Sequence, residues 1–180
     1  MSKIVTFSNR TVDLLNFKEQ DVNIEDISHA LSMTCRFVGH VKFHYSVAYH
    51  SIIVSYLCKP EHSLIGLLHD ASEAYIQDIP SPLKATEYFA LYRDLEKHIT
   101  SKIYNSFGLP EEEPVDVKAA DKLAFLIEQK QLTKVYTDLD LDLIFNKYPI
   151  ARIHKSDPAD INNMFLNRYY ELLGKKVVNA

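Results

Sequence analysis

The order of hydrophobic and polar positions in this chain predicts helices along most of its length. In "NIEDISHALSMTC", Ile24, Ile27, Ala30 and Leu31 recur at offsets of three and four, which is one buried helix face. Asn23 is suited to cap that helix, and Glu25 and Asp26 fall in its first turn, where the helix dipole favours acids. Ser46 is suited to cap a second helix, "VAYHSIIVSYLC". Pro60 fits the first turn of a third, which runs through "EHSLIGLLHDASEAYI". Pro80 and Pro82 in "DIPSPLK" exclude a continued helix there. A long helix follows at roughly 85 to 107, stopped by Gly108 and Pro110, and another covers "DVKAADKLAFLIEQKQLTKVY". The last, "SDPADINNMFLNRYYELLG", has Asp157 as cap, Pro158 at its first position and Gly174 as stop. "RFVGHVKFHY" and the acidic "EEEP" read as loops, the latter solvated, and "KIVTFSNRTVDLL" reads as a short extended segment or hairpin. No repeat or interdomain linker is visible. The expected architecture is all-α, one domain over residues 1–180 with about six helices.

Composition excludes some function classes. Hydrophobic residues make up 47% and charged residues 24%, an ordinary balance for a globular protein. A net charge of −4 disfavours long nucleic acids, whose phosphates need a basic surface, but is compatible with a small phosphorylated ligand. The two cysteines, Cys35 and Cys58, read as buried thiols in a reducing compartment rather than as a disulfide framework. No apolar run approaches the ~20 residues that span a bilayer, and "MSKIVTFSNR" does not read as a signal peptide. The expectation is a cytoplasmic protein with no membrane partner.

Candidate chemistry concentrates in "LLHDASEAYIQDIP". On a helix, His69 and Glu73 are i,i+4 neighbours and Asp70 and Glu73 are i,i+3 neighbours. Taken alone, this stretch is also compatible with an exposed helix terminus. His50 lies in apolar "SVAYHSIIV", where a core histidine is the plain alternative, and Asp121 lies in "VKAADKLAFL", where a solvated acid beside Lys122 is. A carboxylate on so apolar a helix is costly to bury unless paired or ligated. Together the four make a set of two imidazoles and two carboxylates, suited to a divalent transition metal such as Zn²⁺, Mn²⁺, Co²⁺ or Fe²⁺. His40, His44 and His62 receive no ligand role, and His62 is expected in solvent. "TDLDLD" at 137–142 lacks the sixth-position glycine and closing Glu of a calcium loop.

The order His50, His69-Asp70, Asp121 resembles the ligand series of the HD-domain phosphohydrolases. With Glu73 and Asp78 added, the spacing is similar to that of bacterial 5′-deoxynucleotidases and small phage dATP triphosphohydrolases. "IEDISHALS", "CRFVGH", "YSVAYHS" and "HDASEAYIQDIPSPLK" carry the resemblance over most of the chain. It implies an HD-type helical bundle whose metal is held by His50, His69, Asp70 and Asp121. Glu73 would act as general base or water orienter and Asp78 as the acid for the leaving oxygen. Arg36, fourteen residues before His50, would clamp phosphate, and Lys84 would add a point charge. Phe37 would pack on sugar or base, and Pro82 would border the base pocket. The implied substrate is a small deoxynucleotide. The leading reading is a dATP triphosphohydrolase releasing deoxynucleoside and triphosphate, with room for a second divalent ion such as Mg²⁺. The alternatives are a 5′-deoxynucleotidase on monophosphates, a non-catalytic nucleotide-sensing module, and a phosphodiesterase on cyclic or signalling nucleotides. A homo-oligomer, dimer or hexamer, in a bacterial cytosol or that of a phage's host is also implied. The chain departs from the pattern in having Phe37 where the nucleotidases carry tryptophan and Tyr49 where the compact branch carries Glu.

Overall fold

Side-chain caps set several element ends. In the computed structural model, which describes residues 2–174, Asn23 Oδ1 accepts from the amides of Glu25 (2.8 Å) and Asp26 (3.1 Å) and so starts α1 (Ile24–Met33). Ser46 Oγ accepts from Tyr49 N at 3.3 Å at the head of α2 (Val47–Leu57). The N-terminal segment is a hairpin: β1 (Lys3–Val5) pairs antiparallel with β2 (Thr11–Asp13), Ile4 opposite Val12, and Asn9 takes the left-handed turn at φ 62°.

The third expected helix is interrupted. A 3₁₀ turn at Pro60–His62 leads into α3 (Ser63–Leu68), turns follow, and α4 (Glu73–Ile76) begins after them. His69 Nδ1 donates to the Gly66 carbonyl at 2.9 Å, the acceptor an uninterrupted helix would offer to the backbone. Short-range bonds then carry the turn, Ala71 N to Leu68 O and Glu73 N to Asp70 O, both 3.0 Å. His69 and Asp70 therefore sit in a helix break and not on a helix face.

Two further short helices escaped the sequence pattern. The helix does not continue through the prolines, as expected, but in α5 (Ser81–Lys84) Pro80 precedes the first residue and Pro82 lies in the first turn, where no amide donor is needed, so they also open a new turn. Asp140 of the acidic run caps α8 (Leu141–Lys147), accepting from Asp142 N (3.1 Å) and Leu143 N (3.2 Å). With α6 (Ala90–Ser106), α7 (Val115–Leu132) and α9 (Pro158–Leu172), the described residues form nine α segments, not six. α6 starts later than expected because Glu87–Phe89 is a 3₁₀ turn.

α2 is the central helix, with every residue from Val47 to Ser55 buried. α3, α7 and α9 pack around it. The shared core includes Ile27, Leu31, Ile53, Leu67, Ile127 and Phe165. Gly66 allows α3 to approach α2 closely, because a Cβ there would lie 2.6 Å from Cys58 Sγ. Cys35 and Cys58 are free thiols and only half-buried, not buried as expected, because both sit at segment ends. Among the described residues no helix is long and apolar enough to cross a membrane.

Candidate metal centre

Three elements deliver the candidate ligands: α2 carries His50, the break after α3 carries His69 and Asp70, and α7 carries Asp121. His50 Nε2 and His69 Nε2 are 3.3 Å apart. Asp121 Oδ1 lies 3.1 Å from the first and 3.9 Å from the second. Asp70 Oδ2 lies 3.6 Å from His50 Nε2 and 3.2 Å from His69 Nε2. His50, His69 and Asp121 form a group that could hold a metal ion. Each imidazole has its other nitrogen committed. His50 Nδ1 donates to Glu128 Oε1 at 2.5 Å and His69 Nδ1 to Gly66 O at 2.9 Å, which leaves both Nε2 atoms turned to the common point. Metal-binding histidines are oriented in this way.

Glu128 was not singled out from the sequence, yet it organises the site. Its side chain is fully buried. Besides His50, it accepts from the Tyr45 hydroxyl at 2.9 Å and from Arg36 Nε and a terminal guanidinium nitrogen, both at 3.2 Å. Its position seven residues after Asp121, two turns along the same face of α7, was the available signal. Tyr49 is buried against Tyr45, with ring centroids 5.4 Å apart, so the carboxylate behind His50 comes from α7 and not from position 49.

The charges interlock. Burial opposes ionisation of Asp70, but His69, His50 and Arg36 outweigh it and hold this carboxyl well below the usual range. Burial likewise opposes the charged form of His69, but Asp70 and Asp121 push it up to about 9. Burial also works against the Arg36 guanidinium, yet Glu128 and Asp70 (3.6 Å) keep it firmly protonated.

A cavity of about 640 Å³ opens above these ligands. It is lined by eight of the ten residues singled out from the sequence: Arg36, Phe37, Asp70, Glu73, Asp78, Pro82, Lys84 and Asp121. His50 and His69 complete the metal group below it. Phe37 stacks against Phe125, also unforeseen and one turn after Asp121, at 5.7 Å. Glu73 is only 4% exposed and its Oε2 has no hydrogen-bond partner. Burial, reinforced by Asp70 and Asp78, raises its proton affinity well above normal, and burial also raises that of Asp78. Lys84 Nζ sits 2.6 Å from Glu96 Oε1 and 3.8 Å from Glu73 Oε1.

Two minor expectations need correction. His62 is not in free solvent: its Nδ1 lies 2.6 Å from Asp116 Oδ1, because α7 begins beside it. Glu113, in the acidic loop read as solvated, is half-buried and lines a second cavity together with His69, Asp70 and Asp121, because α7 follows directly and holds that loop against the centre.

No family model matches the chain. It is 35% identical over 179 residues to "Uncharacterized protein YfdR" of Escherichia coli (strain K12), with 96% of each protein covered. It is 32% identical over 184 residues to "Uncharacterized protein RCAP_rcc00048" of Rhodobacter capsulatus, covering 92% of this chain and 93% of that protein.

Proposed function

The chain belongs to one family with YfdR and RCAP_rcc00048, and from its own site we propose that it is a metal-dependent hydrolase cleaving the 5′ phosphate ester of deoxynucleotides. The observation carrying this reading is the convergence of two oriented imidazole nitrogens and the Asp121 carboxylate on one point, with Asp70 Oδ2 beside both imidazoles, beneath a cavity that also holds the buried carboxyls of Glu73 and Asp78 and a fixed guanidinium. The donor set fits a borderline divalent metal, with His50, His69, Asp70 and Asp121 as ligands. When bound, such an ion lowers the pKa of water and offsets charge on phosphoryl oxygens.

The chain's own groups supply the rest. Glu73, buried with a free carboxylate oxygen facing no partner, accepts or steers the proton of the attacking water. Asp78 is held toward its protonated form by burial and gives a proton to the leaving 5′ oxygen. Arg36, locked by Glu128, presents its remaining donors to a phosphoryl oxygen. Phe37 and Phe125 form an aromatic wall for the nucleoside, with Pro82 at the rim. The HD-domain resemblance supports the same assignment and supplies the deoxynucleotide. Assembly into a homo-oligomer belongs to the same proposal.

The test is metal analysis of the purified protein, light scattering, and product analysis over deoxy- and ribonucleotides, mono- to triphosphate, with several metals. Release of free deoxynucleoside is expected. Stoichiometric metal and nucleotide binding without turnover would instead identify a sensing module. Asp121→Ala should lose metal and activity together, and stoichiometric metal in that variant would sink the ligand assignment.

A further inference from the structure

The metal ligands border two cavities. A second one, of about 560 Å³, shares Asp70, Lys84 and Asp121 with the first. Their linings differ in kind. The first has the Phe37–Phe125 pair, Pro80 and Pro82 on its walls, whereas every side chain lining the second is polar or charged. A nucleoside belongs in the first, where aromatic faces can stack on its base. In that orientation, phosphates beyond the one at the metal centre would extend into the second.

Such phosphates need surplus positive charge, and the second cavity does not supply it. Apart from the candidate ligands, its cations Lys84, Arg93 and Lys97 are matched in number by the carboxylates Glu96, Glu111 and Glu113. Lys84, at the boundary, is taken by Glu96 at 2.6 Å. Arg93 is turned onto backbone, donating to the carbonyls of Lys84 (2.5 Å) and Thr86 (2.7 Å). We infer that Glu96 is a specificity-determining residue that limits the phosphate chain: by neutralising Lys84 where the two cavities meet, it makes deoxynucleoside monophosphates the substrate class. The triphosphate that the resemblance favours is disfavoured by the same carboxylate, since like charges brought together in a partly desolvated site repel strongly. This inference rests on the hydrolase reading for the orientation of the nucleotide.

The experiment compares the metal-loaded full chain with Glu96→Gln and Glu96→Asp, using dAMP and dATP as probes, by equilibrium binding and by kcat/KM. The wild type should prefer dAMP. Glu96→Gln should narrow that preference roughly tenfold, mainly through tighter dATP binding and lower KM. Glu96→Asp, which keeps the charge, should stay near wild type. An unchanged dAMP-to-dATP ratio in Glu96→Gln overturns the inference. So does a wild type that prefers dATP, a result that needs no variant to fold. A ratio that shifts in binding while neither nucleotide is hydrolysed keeps the filter and rejects the hydrolase. Failure to bind either nucleotide rejects both.

Discussion

Replacing Glu128 by Gln keeps the side chain's volume and removes its charge. Three donors converge on this fully buried carboxylate: His50 Nδ1, the Tyr45 hydroxyl and Arg36. A glutamine has one carbonyl oxygen to offer them, and its amide would face another donor. Arg36 would keep only Asp70, at 3.6 Å. Breaking a buried ion pair by removing one partner costs about 3–5 kcal/mol, because the other charge stays buried. For a chain of this size that is a fall in Tm of roughly 6–20 °C. A second loss is specific to the metal. Losing the group that orients a ligating histidine costs about 10–100-fold in metal affinity. The two losses are read separately, by thermal unfolding of the metal-free protein and by chelator competition at a temperature where both proteins are folded. Tyr45→Phe is the control: it deletes one neutral donor to the same carboxylate, should cost about 1.5–3 kcal/mol, and should leave metal affinity within a few-fold. Wild-type metal affinity in folded Glu128→Gln would refute the role given to Glu128, and wild-type Tm would refute the buried-pair accounting.

Three further outcomes are expected. Glu73→Gln should retain stoichiometric metal and lose about 10²–10⁴-fold in kcat; loss of metal along with activity would make Glu73 a ligand instead. Gly66→Ala should destabilise by about 1–3 kcal/mol through overpacking on Cys58 Sγ, and Cys58→Ala added to it should recover part of the loss in denaturant unfolding. Strict additivity of the two changes would refute the contact. Asp116 accepts from Lys59 N (3.2 Å) and His62 Nδ1 (2.6 Å), and although burial opposes its charge these bonds together outweigh it and hold its pKa below the ordinary value. A depressed folded-state pKa adds stability above the unfolded value of about 3.9 and loses it as pH falls through the folded value. The Tm gap between wild type and Asp116→Asn should therefore be full at neutral pH and close below about pH 4; a gap that widens in acid would reverse the assignment.

Much of the fold was legible because several of the longer helices carry their own cap or stop. Asn23, Ser46 and Asp157 all accept the amide bonds their positions suggest. What escaped depends on tertiary context. The break at His69 arises because an imidazole takes a backbone carbonyl, and nothing in an i,i+4 pattern reports that choice. Pro80 and Pro82 are helix breakers by composition but helix openers by position. At the site, residues read from the "LLHDASEAYIQDIP" stretch meet those from α2 and α7. The partners that hold them, Glu128 and Glu96, are single acids on otherwise ordinary helices. Their importance lies in what packs against them across long stretches of chain, which local periodicity does not encode.

The segment between α1 and α2 is tied at its neck. Cys35 and Ser46 form an isolated antiparallel bridge, and Arg36 N donates to Tyr45 O at 2.9 Å. Arg36 stands just inside that neck, while Val38, Gly39, His40 and His44 lie exposed beyond it and Phe37 and Val38 reach the cavity wall. The excursion is tied again on its far side, where Lys42 N donates to Leu132 O at 3.2 Å and Val41 and Phe43 pack against the core, so Val38, Gly39 and His40 are its exposed tip. The guanidinium anchor and the exposed tip of the excursion are thus held by different contacts. Such a layout marks residues 38–40 as the stretch where an exchange disturbs neither the guanidinium anchor nor the core.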